Sequence, residues 1–128
     1  MSNMIKCVIH CSDTPTGRDV SAADIHGWHL ENGWDGIGYH HVIRIDGTIE
    51  NGRPPYWKGS HAYGYNHTLG ICLIGNGEFT EAQYTSLKGL LAKYNFDESE
   101  IVGHYEVDKH GKTCPNFDVP KWLKENYS

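Results

Sequence analysis

The residues best suited to chemistry lie near the carboxyl end, in Gly103-His-Tyr-Glu-Val-Asp-Lys-His-Gly-Lys-Thr-Cys-Pro115. A short apolar segment, Ile101-Val102, enters this irregular stretch, which carries His104 at one end and Cys114 at the other, with Lys112 two residues before the cysteine. An imidazole and a soft thiolate held by one loop are two of the three protein ligands of a catalytic zinc site, whose fourth position stays open. His110, six residues beyond His104, is the rival to Cys114 in the same loop. The third ligand has to come from elsewhere, and His10 is best placed. It ends the apolar run Ile5-Lys-Cys-Val-Ile-His10, and strand ends are where open α/β sheets commonly put their sites.

Other metal patterns fail on geometry. His61 with His67, and Cys7 with Cys11, have finger-like spacing, but the gap between the pairs is far longer than a zinc finger allows. There is no His-Glu-x-x-His, and no Pro-Cys-x-x-Cys of the nucleobase deaminases. On a strand, Cys7 and Cys11 share a face about 13 Å apart at ~3.3 Å per residue, too far for a disulfide. Cys7 and Cys72 read as small buried residues.

The elements that must position these groups alternate along the chain. The first strand is predicted over about Met4 to Cys11, and Ser21 caps a helix with Asp24 three residues on and Asn32-Gly33 as its stop. Tyr39 to Ile45 reads as a strand that turns through Asp46-Gly47, a primed two-residue hairpin, and returns over Thr48 to Asn51. The loop from Gly52 to His67 is long and rich in aromatics, which marks it as functional. Leu69 to Ile74 is apolar throughout and fits a central strand buried on both faces. Thr80-Glu-Ala-Gln83 is a capping box ahead of Tyr84, Leu87, Leu90, Leu91 and Tyr94 at helical spacing. Asp118-Val-Pro120 opens a last helix, in which Trp122, like Trp28 in the first, is expected to be core. The fold class that follows is α/β: a mixed central sheet flanked by helices, in one domain spanning 1–128.

Composition narrows the partners. The chain has 128 residues, a formal charge of -5, nine histidines and four cysteines. A domain this long buries roughly two thirds of its unfolded surface without needing disulfides. The acidic balance argues against a nucleic-acid binder, and no apolar run is long enough to span a membrane. Met1 to Cys7 lacks a signal-peptide pattern, so a cytoplasmic location is expected.

Several motifs now fall into order: His10-Cys-Ser, Gly33-Trp-Asp-Gly-Ile-Gly-Tyr-His40, Asp46-Gly-Thr-Ile-Glu, Gly59-Ser-His-Ala-Tyr-Gly-Tyr-Asn66, Gly103-His104 and Lys112-Thr-Cys-Pro115. As an ordered set the chain resembles the zinc-dependent N-acetylmuramoyl-L-alanine amidases of the peptidoglycan-recognition type, phage lysozymes included. The resemblance runs from about Ile5 to Asn126 and implies their fold. It implies that His10, His104 and Cys114 hold Zn²⁺, that Tyr39 and Lys112 are catalytic, and that His61, Asn66 and, with them, Trp57 line the substrate groove.

The implied reaction is hydrolysis of the amide between the lactyl group of N-acetylmuramic acid and L-alanine of the peptidoglycan stem. Zinc would polarise the carbonyl and lower the pKa of bound water towards ~7, while Lys112 and Tyr39 answer the developing negative oxygen. The leading expectation is a monomeric phage-type endolysin that stays in the host cytoplasm until another protein permeabilises the membrane. A cytosolic amidase recycling muropeptides is the second reading. A peptidoglycan-binding module is the third, and retention of Cys114 argues against it. Phage lysozymes of this family can also inhibit their phage RNA polymerase, which the resemblance implies as a second role.

Overall fold

The computed structural model describes residues 4–108 and 110–127. Its strands are β1 (Cys7–Cys11), β2 (His41–Ile43), β3 (Ile49–Asn51), β4 (Leu69–Leu73) and β5 (Ile101–Gly103). The helices are α1 (Ala22–Glu31), α2 (Glu81–Lys93), the single turn α3 (His104–Val107) and α4 (Val119–Asn126). The strands form one sheet in the order β3-β2-β4-β1-β5. β2, β4, β1 and β5 run parallel, and only β3 is antiparallel, against β2. This is the mixed sheet that alternating elements with one hairpin predict. No helix among the described residues is long and apolar enough to cross a membrane.

Both faces of the sheet are covered, which is why β1 and β4 are buried along their lengths and, His10 apart, apolar. One face, with Ile9, Ile71 and Leu73, packs against Leu87 and Leu91 of α2 and Leu123 of α4. The other, with Val42 and Cys72, packs under Ile25 of α1, with Trp28 and Tyr39 at its margin. Burying a side chain of this size is worth roughly 1.5–3 kcal/mol. Trp28 and Trp122 are packed against these cores but only partly buried. Because side chains alternate on a strand, His10 lies on the α1 face with Val8, away from Cys7 and Ile9.

The helix caps are as read: Ser21 and Thr80 each accept from the backbone three residues on, and Asp24 and Gln83 reciprocate. Gln83 is buried, and its amide also donates to the carbonyls of Ile43 and Ile74. It thereby ties the start of α2 to the ends of β2 and β4.

Two expectations are corrected. β1 and β2 are shorter than predicted, spanning Cys7–Cys11 and His41–Ile43. The β2–β3 turn is not of the primed type, which needs positive φ at the first central residue, here Asp46. Of the pair only Gly47 has it, at 90°. Gly47 N–H donates to Arg44 O and Arg44 N–H to Thr48 O, both at 2.8 Å, which is a three-residue loop closed by a glycine in the left-handed region. The Asp46 carboxylate caps it by accepting from Thr48 N–H.

Candidate metal centre and active site

β1 and β5 are parallel neighbours with Ile9 opposite Gly103. His10 and His104, one residue further on each strand, therefore emerge side by side at the carboxyl edge of the sheet, with ring centroids 4.5 Å apart. A glycine is required before His104, because a Cβ at Gly103 would lie 2.9 Å from Val119 and 3.1 Å from Pro115. The loop after α3 brings Cys114 back to the same edge, where Tyr105 N–H donates to its carbonyl and Cys11 N–H to its Sγ, each at 2.9 Å.

The donor atoms of His10, His104 and Cys114 all lie within 4.8 Å of one another, and no other His, Cys, Asp or Glu set among the described residues does this. Donors about a tetrahedral zinc, at bond lengths of ~2.0–2.3 Å, are separated by about 3.5 Å. Small side-chain movements close the difference, so the set fits the ion. His110 is exposed and lies outside the cluster, which contains Cys114.

The electrostatics suit a cation. Burial, then the neighbouring His61 and His104, hold His10 well below the usual imidazole pKa. Burial lowers His104 as well, against the Asp108 carboxylate, whose Oδ1 is 3.8 Å from His104 Nε2. Both rings are thus in the neutral form that binds metal. The neighbouring Cys11 thiol, then burial, raise the Cys114 pKa, and the Cys114 side chain lowers that of Cys11. Cys114 needs a cation to become the thiolate ligand.

The structure brings Tyr39 to this centre. Its ring centroid is 5.1 Å from that of His10. Burial, then the Cys72, Cys114 and Cys11 thiols, push its pKa well above the usual value, so it stays a phenol that can donate. Lys112 is exposed. Its N–H donates to Asp108 Oδ2 at 2.8 Å, and its charge helps lower the pKa of His104.

The residues expected to line the groove take three different positions. His61 is buried behind His10 with both ring nitrogens engaged, to His10 Nε2 and to the Thr68 carbonyl, each at 2.9 Å. It has no polar atom left for a substrate. Burial pushes its pKa down to about 4. Asn66 braces the loop, its Oδ1 accepting from the N–H groups of His61 and Ala62. Trp57 is exposed and lines a separate cavity with Arg53, Glu50 and His26. The cavity of about 560 Å³ that abuts His104 is walled instead by Tyr63, Tyr65, Val107, Asp108 and His110.

Three participants escaped the sequence reading: the Cys11 N–H, the Thr68 carbonyl and Asp108. Backbone groups leave no mark in a sequence. Asp108, four residues after His104, falls on the same side of a helical turn, and that spacing is a usable signal.

Two imidazoles and a thiol with their donor atoms this close, beside a cavity at His104, could hold one metal ion and leave a position open. The family model for N-acetylmuramoyl-L-alanine amidase, Amidase_2, matches residues 3–117, and the chain belongs to that family. It is 41% identical over 131 residues to an endolysin of Escherichia phage T7, covering 92% of this chain and 84% of that one. Peptidoglycan-recognition protein SC2 of Drosophila melanogaster is 34% identical over 119 residues, covering 86% and 64%. Among solved structures, the endolysine N-acetylmuramoyl-L-alanine amidase LysCS from Clostridium intestinale superposes with TM-score 0.80 at 34% identity, over 96% and 83% of the two chains. Drosophila PGRP-LB gives 0.80 at 27% identity, over 97% and 81%.

Proposed function

We propose that the chain is a zinc-dependent N-acetylmuramoyl-L-alanine amidase acting as a phage endolysin. It cuts the amide between the lactyl group of N-acetylmuramic acid and L-alanine of the stem peptide. The observation that carries this is the His10–His104–Cys114 cluster, intact in a chain 41% identical to phage endolysins.

Amide hydrolysis needs an activated carbonyl, an oriented water and a proton for the departing amine. Zinc, when held by His10, His104 and Cys114, supplies a Lewis acid for the carbonyl and lowers the pKa of water towards ~7. The proton the departing amine gains is the one the attacking water gives up, and the protein supplies position and charge. The neutral rings of His10 and His104 and the backbone N–H aimed at Cys114 Sγ hold the ligands in place. Tyr39, kept protonated, orients the attacking water through its hydroxyl. The Lys112 ammonium, exposed on the loop between His104 and Cys114, balances the oxyanion, and one such donor is worth roughly 3 kcal/mol. The stem peptide enters by the cavity at His104, where Tyr63 stands 92% exposed and free to pack on it.

The test is to incubate the protein with Gram-negative peptidoglycan, with and without a zinc chelator, and to count new L-alanine amino termini and new reducing sugars separately. Amino termini that vanish with the chelator, without reducing ends, are expected. Reducing ends would mean a glycosidase, and neither product with zinc bound would mean a binding module. Preference for intact sacculi over soluble anhydro-muropeptides separates an endolysin from a recycling amidase.

A further inference from the structure

We propose that His61 is a positioning residue that fixes the tautomer of His10, through a relay starting at the Thr68 carbonyl. The proposal rests on the reading of His10 as a metal ligand.

A backbone carbonyl can only accept, so His61 Nε2, 2.9 Å from Thr68 O, must carry a proton. A neutral His61 then presents a bare lone pair at Nδ1. That atom lies 2.9 Å from His10 Nε2, so His10 must donate from Nε2 and leave its Nδ1 unprotonated. Nε2 is thereby spent, and Nδ1 is the atom His10 offers to the cluster with His104 and Cys114. Each proton position is dictated by the one before it, back to a group that has no choice. Outer partners of this kind commonly set ring orientation and ligand basicity at metal sites.

The slot for His61 is built for this. A Cβ at Gly70 would lie 2.6 Å from His61 Cγ, and one at Gly59 2.6 Å from its Cδ2. Two glycines therefore make room for an imidazole edge-on to His10, with planes at 90°. The backbone of His61 is pinned by Asn66, which accepts its N–H at 2.7 Å. His40, packed 5.8 Å away, shows the contrast. Its Nδ1 accepts from Gly70 N–H and its Nε2 donates to Trp57 O, so it braces backbone and transmits nothing to the centre.

The direct test uses ¹⁵N-labelled metal-free protein and long-range imidazole ¹H–¹⁵N spectra at neutral pH. His10 and His61 should both be protonated at Nε2 and bare at Nδ1. In His61→Leu, which removes the acceptor, the His10 nitrogens should move towards tautomer-averaged shifts. Zinc affinity, by competition with a chromogenic chelator, should fall ~10–100-fold. His61→Asn keeps an acceptor atom at the position of Nδ1 and should recover part of both. A wild-type His10 protonated at Nδ1 would overturn the proposal, as would a folded His61→Leu that binds zinc as tightly as wild type. Should His61→Leu fail to fold, the wild-type spectrum decides alone. A protein that binds no zinc yet shows the stated tautomers would remove the metal reading and leave the relay standing.

Discussion

Replacing Gly70 with alanine probes the space on which the centre depends. The new Cβ would lie 2.6 Å from His61 Cγ, 2.7 Å from Cδ2 and 2.9 Å from Nδ1. Ordinary carbon contacts begin near ~3.5 Å, so a displacement of about 0.9 Å is required. β4 cannot supply it, being hydrogen-bonded to β1 on one side and β2 on the other. The His61 ring must move instead, and it is held at 2.9 Å from both ends. Overpacking costs ~1–3 kcal/mol and two weakened hydrogen bonds about 1 kcal/mol each. The lower chain entropy of alanine returns ~0.4–1 kcal/mol. The net loss is about 2–5 kcal/mol, or a fall in Tm of roughly 10 °C for a domain of this size. Thermal unfolding of the metal-free variant measures it, with Gly89→Ala as control. Gly89 lies on α2 with nothing within 4 Å of its would-be Cβ, so that change should raise stability by up to ~1 kcal/mol. A Gly70→Ala protein as stable as wild type, with wild-type zinc affinity, would refute the picture of His61 as a pinned ring.

The metal-free protein should lose stability on acidification from about pH 6.5 to about 4. Burial holds His61 at about 4 in the folded state, against ~6.5 unfolded, so between those values only the unfolded chain takes up the proton. This group alone accounts for a loss on the order of 3 kcal/mol, complete below the lower value and absent above the upper. His10 and His104 shift in the same direction. Urea midpoints across that range check it, and a flat profile would contradict it. Lys112→Ala should lower kcat roughly 100-fold while zinc content stays at the wild-type level. Loss of zinc instead would show that Lys112 supports the site rather than the reaction.

The central strands and the capped helices were legible in the residues, because periodicity and caps are local properties, whereas the choice of Cys114 over His110 came from the ordered family motifs. His10 and His104 could be paired from sequence because each follows an apolar run, and parallel strands end on a common edge. Other features depend on neighbours far along the chain. The turn at Asp46-Gly47 was legible as a turn, but its type follows from the Arg44–Thr48 pairing. His61 and Asn66 sit in a loop motif that marks them as functional without saying which way they face. His61 turns inward because Gly59 and Gly70 leave a slot there and because Thr68 O and His10 Nε2 stand at its two ends. Trp57, in the same long loop, ends on another cavity altogether. Residue type supplies the chemistry a side chain can perform. Which lone pair it presents, and to what, is decided by backbone groups and close packing from distant segments, and these exist only once the sheet has assembled.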